Sequence, residues 1–200
     1  MASAQLMMKK EAMELTSEEK AVLDELIEEA SNKVKDPKLQ QEALDLLQKA
    51  QPGIKLQYQH LFGVIRKSTK ALELHKCQTW HGYFGLSYPK KFEKPSCCFT
   101  QVGVLGKGCA AGVVYKGKNK RGDECGWLLA WSFHSRGGKK VYCDCGVIRK
   151  FDKLDWNEVK AQLDKSPAWA KHHDDETGTT ALAATTGADP FAGFGGYLSG

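Results

Sequence analysis

The stretch from Cys109 to Ser132 restricts the fold more than any other. It holds two apolar runs, Cys109-Ala110-Ala111-Gly112-Val113-Val114-Tyr115 and Trp127-Leu128-Leu129-Ala130-Trp131, around a polar linker with three turn formers, Gly117, Asn119 and Gly122. Strand-length runs on either side of such a linker predict a β-hairpin with a long basic loop. Around Trp127–Trp131 the apolar residues are unbroken rather than alternating, the pattern of a strand covered on both faces. A short buried helix is the competing reading, but the segment is short for one and lies between Gly126 and the His134–Gly138 loop. The hairpin is therefore placed at the centre of the core.

Other strands follow from the same patterns. Gly63–Lys76 predicts a second hairpin turning at Lys67-Ser68-Thr69-Lys70, with Leu72 and Leu74 alternating against Glu73 and His75. Phe99–Leu105 returns to the sheet. Lys140–Ile148 alternates so that Val141, Cys143 and Cys145 share a face. Pro89 and Pro95 exclude a central strand, so residues 87–96 are expected to form an exposed loop. About seven short strands without intervening helices favour an antiparallel β-sandwich over a parallel sheet.

Helices are predicted at both flanks, which makes the chain α+β. Thr16-Ser17-Glu18-Glu19 has the spacing of a capping box, and Val22, Leu23, Leu26, Ile27, Ala30 and Val34 follow as one apolar stripe. Asp36-Pro37 ends that helix and starts a second, with Leu39, Ala43, Leu46, Leu47 and Ala50 on one face and Gln51-Pro52-Gly53 as its stop. This helical hairpin (16–53) is expected to pack on the following domain, or else to serve as an arm for a protein partner or dimer. The sandwich is assigned residues 54–185, with a short helix near 155–164 capped by Asp155. Residues 1–15 are expected to be flexible, and 186–200 form a Gly/Ala-rich tail, either an ordered edge or a loose end.

Composition narrows the function classes. No window approaches the run of about 18 apolar residues that a membrane-spanning helix needs, and the first residues lack the apolar core of a secretory signal. A cytoplasmic location is expected. Seven cysteines, an odd number with Cys97 and Cys98 adjacent, fit free thiols better than a disulfide framework. The net charge of +5 is unevenly spread: residues 1–50 carry seven lysines against eleven acids, which leaves an excess of +9 for residues 51–200.

The string Val113–Asn119, then Glu124–Ser132 and Lys140-Val141-Tyr142, resembles the plant 23 kDa jasmonate-induced protein family, over roughly residues 60–185. That family is in turn distantly similar, in strand order and aromatic placement, to the actinoporin and aegerolysin β-sandwiches. The resemblance implies a fold and a stress or defence context. The family carries no well-established activity, so it implies no catalytic residue.

Candidate chemistry is sparse. No nucleophile elbow, P-loop or dinucleotide fingerprint is present, and no cofactor is expected. The tract His172-His173-Asp174-Asp175-Glu176 has metal-ligand residue types, but consecutive residues cannot all face one ion, so no metal site is assigned. Cys143 and Cys145 read as small core residues. An enzymatic alternative, an enzyme or accessory protein of plant specialised metabolism, would use a pocket between the sheets with Cys125, His81 or His134 as its polar members. The leading expectation is binding without catalysis through aromatic and basic loops: Trp80, Tyr83, Tyr88 and Phe92 with Lys90, Lys91, Lys118 and Arg121. Rings offer a face to head groups or sugars and lysines attract phosphate, so the expected partner is a membrane head group or a glycan. In the actinoporin-like sandwiches, the resemblance implies, such an aromatic cluster docks on lipid head groups. Nucleic acid is disfavoured, because no recognition helix or RNA-binding signature accompanies the charge.

Overall fold

A computed structural model describes residues 15–50, 59–103, 106–134, 138–188 and 190–200. In chain order its elements are α1 (Ser17–Val34), α2 (Pro37–Ala50), β1 (His60–Lys67), β2 (Leu72–His81), β3 (Tyr83–Phe84), β4 (Lys91–Phe92), β5 (Ser96–Val102), β6 (Cys109–Lys118), β7 (Glu124–His134), β8 (Gly138–Val147), α3 (Arg149–Asp152), α4 (Trp156–Leu163), β9 (Trp169–Asp174), β10 (Thr179–Ala188) and β11 (Phe191–Ser199). They make an α+β molecule built on two sheets, ordered β3-β5-β1-β11-β10-β9 and β4-β2-β6-β7-β8. Among the described residues all pairings are antiparallel except that of β1 with β11.

Trp127–Trp131 is a strand covered on both sides. Trp127, Leu129 and Trp131 enter the core between the sheets, while Leu128 and Ala130 point outward beneath Phe151, Val159 and Leu163 of α3 and α4. An unbroken apolar run is what such a position requires. The indole N–H groups are satisfied: Trp127 Nε1 donates to the Ser199 carbonyl at 3.0 Å and Trp131 Nε1 to Gln101 Oε1 at 2.8 Å. The β6–β7 hairpin forms as expected with a shorter loop. Gly117 lies within β6 opposite Cys125, so only residues 119–123 turn the chain.

On the other side α1 covers the six-stranded sheet. Its capping box is present, with Thr16 Oγ1 accepting from the Glu19 amide at 3.2 Å and Glu19 Oε2 from the Thr16 amide at 2.7 Å. Leu26, Ala30 and Val34 bury against Phe62 and Val64 of β1, a contact that contributes about 1.5–3 kcal/mol for each large side chain removed from water. Ion pairs flank it, Lys171 to Glu19 at 2.7 Å and Arg66 to Glu25 at 2.8 Å. The apolar stripe of α1 is thus used within the chain rather than held out to a partner. For α2, Ala43, Leu46, Leu47 and Ala50, expected to share one face, lie outside the described side chains. Gln51-Pro52-Gly53 and residues 1–14 lie outside the described residues. The Asp155-capped helix forms as expected, Asp155 accepting from the Asn157 amide at 2.8 Å.

Three expectations need correction. Gly63–Lys76 is not a hairpin: β1 pairs with β11 and β5, β2 with β6 and β4, and the turn after Lys67 carries the chain from one sheet to the other. Residues 186–200 are not a tail, because β11 lies inside the six-stranded sheet between β1 and β10. Its glycines are the seat of α1: a Cβ at Gly193 would stand 3.0 Å from that of Ala30, and one at Gly195 2.9 Å from that of Leu26. The sandwich therefore extends beyond residue 185. Finally, residues 87–96 are not simply an exposed loop. They bridge the two sheets at one side, with β4 pairing onto β2 and the Tyr115 hydroxyl donating to the Pro89 carbonyl at 2.9 Å. Among the described residues no helix is long and apolar enough to cross a membrane.

Candidate functional site

The strands carry chemistry to opposite rims of the sandwich. β7 spans about 35 Å at ~3.3 Å per residue, beginning beside Cys125 and finishing at His134. Alternation puts Ser132 and His134 on the same outward face as Leu128 and Ala130, and Lys140 of β8 is the register partner of Ser132. A bulge in β2, with Trp80 as the extra residue between the Thr79 and His81 pairings, brings His81 to the same rim. Trp80 turns onto α4, edge-on to Trp156 with ring centroids 5.9 Å apart. The last turn of α4 supplies Lys160, the helix cap supplies Asp164, and the turn before β6 supplies Lys107.

These seven side chains line a cleft of about 390 Å³. Lys160 Nζ lies 2.5 Å from Asp164 Oδ1, and Lys140 donates to the Asp164 carbonyl. His134 Nε2 lies 2.7 Å from the Gly106 carbonyl, which fixes that ring. The imidazole of His81 is held below its ordinary range, first by burial and then by the neighbouring Lys160, Lys107 and His134, with Asp164 opposing. Behind it, Gln101 is fully buried. Its Nε2 donates to the His81 carbonyl at 2.8 Å while its Oε1 accepts from Trp131, so the bulge is tied to the core.

The opposite rim is built differently. Asn119 closes the β6–β7 loop, donating to Asp123 Oδ2 at 2.9 Å and the Thr177 carbonyl at 2.8 Å, and accepting from the Asp123 amide at 2.8 Å. Arg121, expected to bind ligand, faces Asp123 at 3.4 Å and donates to the Glu176 carbonyl. Lys118 lines a groove with Lys70 and Lys116, opposed by Glu73 and Glu124. Charge is mixed there rather than convergent.

The expected site residues are therefore dispersed. Tyr88 and Phe92 are 8% and 1% exposed, one packed on Phe84, Phe99 and Trp131, the other on Tyr115; as core residues they cannot present a face to ligand. Tyr83 is 40% exposed, and Lys90 and Lys91 are exposed with it. Leu86, 53% exposed in the same segment, was not anticipated; a lone leucine before a proline loop gives no signal of its own. Cys125 is buried at the far rim from His81 and His134, its thiol pushed up by burial, so the three do not meet and Cys125 is no poised nucleophile. Cys143 and Cys145 are core residues whose thiols face the Ala181 and Thr179 carbonyls at 3.2 and 3.3 Å. The His172–Glu176 tract splits: His172 Nε2 lies 3.1 Å from Asp144 Oδ1, His173 Nδ1 2.8 Å from Thr180 Oγ1, and Asp174 accepts from Thr177.

With the geometry in place, known proteins give it a context. The chain is 32% identical over 193 residues to the jasmonate-induced protein homolog of Atriplex canescens, covering 92% of this chain and 94% of that protein. No protein-family model matches. The crystal structure of the lipid binding protein Nakanori is similar with a TM-score of 0.57, covering 87% of this chain and 86% of that one; at 15% identity this likeness shows the fold alone. By its sequence relationship, the chain belongs to the jasmonate-induced protein family.

Proposed function

We propose that this jasmonate-induced-type protein is a non-catalytic β-sandwich that docks on the head-group layer of a lipid membrane, in a stress or defence setting, through the segment from Tyr83 to Lys94. The observation that carries the reading is where the exposed apolar surface lies. Among the described residues three large apolar side chains are exposed, Tyr83, Leu86 and Trp169, and two of them fall within four residues of each other. Lys90, Lys91 and Lys94 are exposed in the same segment. An aromatic and an aliphatic tip beside lysines is the composition that settles into an interface: the ring and the leucine displace water while the ammonium groups meet phosphate. The solved lipid binding protein with this fold supports the choice of a lipid over a glycan, as does the burial of Tyr88 and Phe92, which leaves Tyr83 as the exposed ring of the segment. Free cysteines at all seven positions suit a reducing compartment, so the cytoplasmic leaflet is the surface assigned.

Vesicle sedimentation tests the reading. Tyr83→Ser with Leu86→Ser should weaken binding to phosphatidylserine-containing vesicles by at least about tenfold, the scale of removing two partly buried apolar side chains from an interface, while near-UV circular dichroism stays unchanged. Binding equal to wild type would overturn it.

A further inference from the structure

We propose that the cleft at the His134 rim is a site for a phosphate monoester dianion, carried either by a lipid head group or by a soluble phosphate ester. Among the described residues three lysines, Lys107, Lys140 and Lys160, line it against one carboxylate, Asp164. The net charge of about two on these described groups matches a dianion. The groups arrive from separate segments, the turn before β6, β8 and α4, so their like charges are held together by the fold and not by local sequence. Burial and the surrounding lysines keep the His81 imidazole neutral to a lower pH than usual. A ring in that state and the Ser132 hydroxyl, which line the same cleft across Ala110, offer neutral hydrogen-bonding groups among the charged ones.

Other ligands fit less well. A divalent cation would meet one carboxylate and three ammonium groups and be repelled. A carboxylate would leave about one positive charge uncompensated. A sugar or a base needs an aromatic floor, and among the described residues imidazole is the ring type that lines the cleft. Lysines serve here as point charges, which suits phosphate, and the volume of about 390 Å³ lies in the ~300–1,000 Å³ range of small-ligand pockets, leaving space for part of the esterified alcohol.

In its lipid form the assignment rests on the membrane reading above, since Tyr83 follows His81 by two residues and would bring this rim to the head groups; in its soluble form it does not. The probes are inorganic phosphate and glycerol phosphate by calorimetry, and phosphatidylcholine vesicles with and without phosphatidic acid by sedimentation. Lys107→Gln with Lys160→Gln should lose about tenfold per lysine, the scale of a charge-assisted contact, whereas Lys118→Gln with Arg121→Gln at the far rim should change nothing. Asp164→Asn should tighten binding several-fold, a gain that mere loss of folding cannot produce. Ring NMR of His81 should show its titration moving upward when phosphate is added. Tighter binding to phosphatidic acid vesicles, lost in the lysine variant, identifies a lipid source; binding of the soluble esters with no binding to either vesicle identifies the other, and sinks the membrane reading while the cleft assignment stands. Vesicle binding indifferent to phosphatidic acid and to both cleft variants, or no binding of any probe, overturns the cleft assignment.

Discussion

Gly195 lies directly beneath Leu26: a Cβ on the glycine would stand 2.9 Å from the leucine Cβ, with the Leu26 carbonyl carbon at 3.5 Å. The close contact is with atoms fixed to the α1 backbone, not with the end of a side chain that could swing away. Gly195→Ala should therefore lift α1 from the sheet and destabilise the protein by about 1–3 kcal/mol, the scale of overpacking. Leu26→Ala keeps the opposing Cβ and should not relieve the strain. Urea midpoints of the two single variants and the double variant check this; a full recovery in the double would place the clash elsewhere.

His60 gives a pH dependence of known sign. It is 2% exposed, edge-on to Phe191 at 6.4 Å, and its Nε2 has no hydrogen-bond partner among the described residues. Burial lowers its pKa from 6.5 to about 4. Because the folded value is the lower one, the unfolded chain takes up a proton first as pH falls. Stability present above pH 6.5 is lost progressively down to about pH 4, by an amount on the order of 3 kcal/mol. His60→Phe should flatten this part of the profile, seen as the difference between wild-type and variant unfolding free energies between pH 7 and 4.5; parallel profiles would show that His60 does not carry it.

How much of this was legible depended on whether the deciding contacts were local. Trp127–Trp131 announced itself as a doubly covered strand, because its two coverings, the facing sheet and α4, both demand apolar residues at every position. The capping box at Thr16 and the cap at Asp155 were equally plain. The pairing of β1 was not: a turn does follow Lys67, but whether strands join across a turn depends on rivals far along the chain, here β11 and β5. The glycines of β11 resembled those of a loose tail because the helix that needs them lies some 165 residues earlier. At the cleft, His81 and His134 could be named from sequence, yet Lys107, Lys140 and Lys160 were ordinary lysines until the fold gathered them. Tyr88 and Phe92 misled because prolines and lysines beside them suggested a loop in water.

Gln101 joins the core to the cleft, and its replacement should be felt at both ends. Gln101→Leu leaves the Trp131 indole N–H and the His81 carbonyl without their present partners, at about 1–3 kcal/mol for each buried group left unsatisfied. The variant should unfold at lower urea, and its tryptophan emission should shift as the Trp131 surroundings loosen. With the β2 bulge freed, phosphate affinity should fall although no cleft side chain has changed. Gln101→Glu retains an acceptor for Trp131 but offers a carboxylate to the His81 carbonyl, so it should spare the tryptophan signal and still weaken the cleft.

Ionic strength separates the two forces assigned to the Tyr83–Lys94 segment. Each lysine near an anionic membrane contributes about 1 kcal/mol, so Lys90, Lys91 and Lys94 together account for about two orders of magnitude in partitioning at low salt. At roughly 1 M salt the screening length falls to about 3 Å and that share disappears. Tyr83 and Leu86 act by displacing water, which salt does not screen. Changing the three lysines to glutamine should therefore weaken binding to phosphatidylserine vesicles by about 100-fold in dilute buffer and hardly at all in concentrated salt, while Tyr83→Ser with Leu86→Ser weakens it in both. If the lysine variant lost as much binding in concentrated salt as in dilute buffer, its lysines would be holding the segment in shape rather than attracting the membrane, and the electrostatic half of the docking would have to be abandoned.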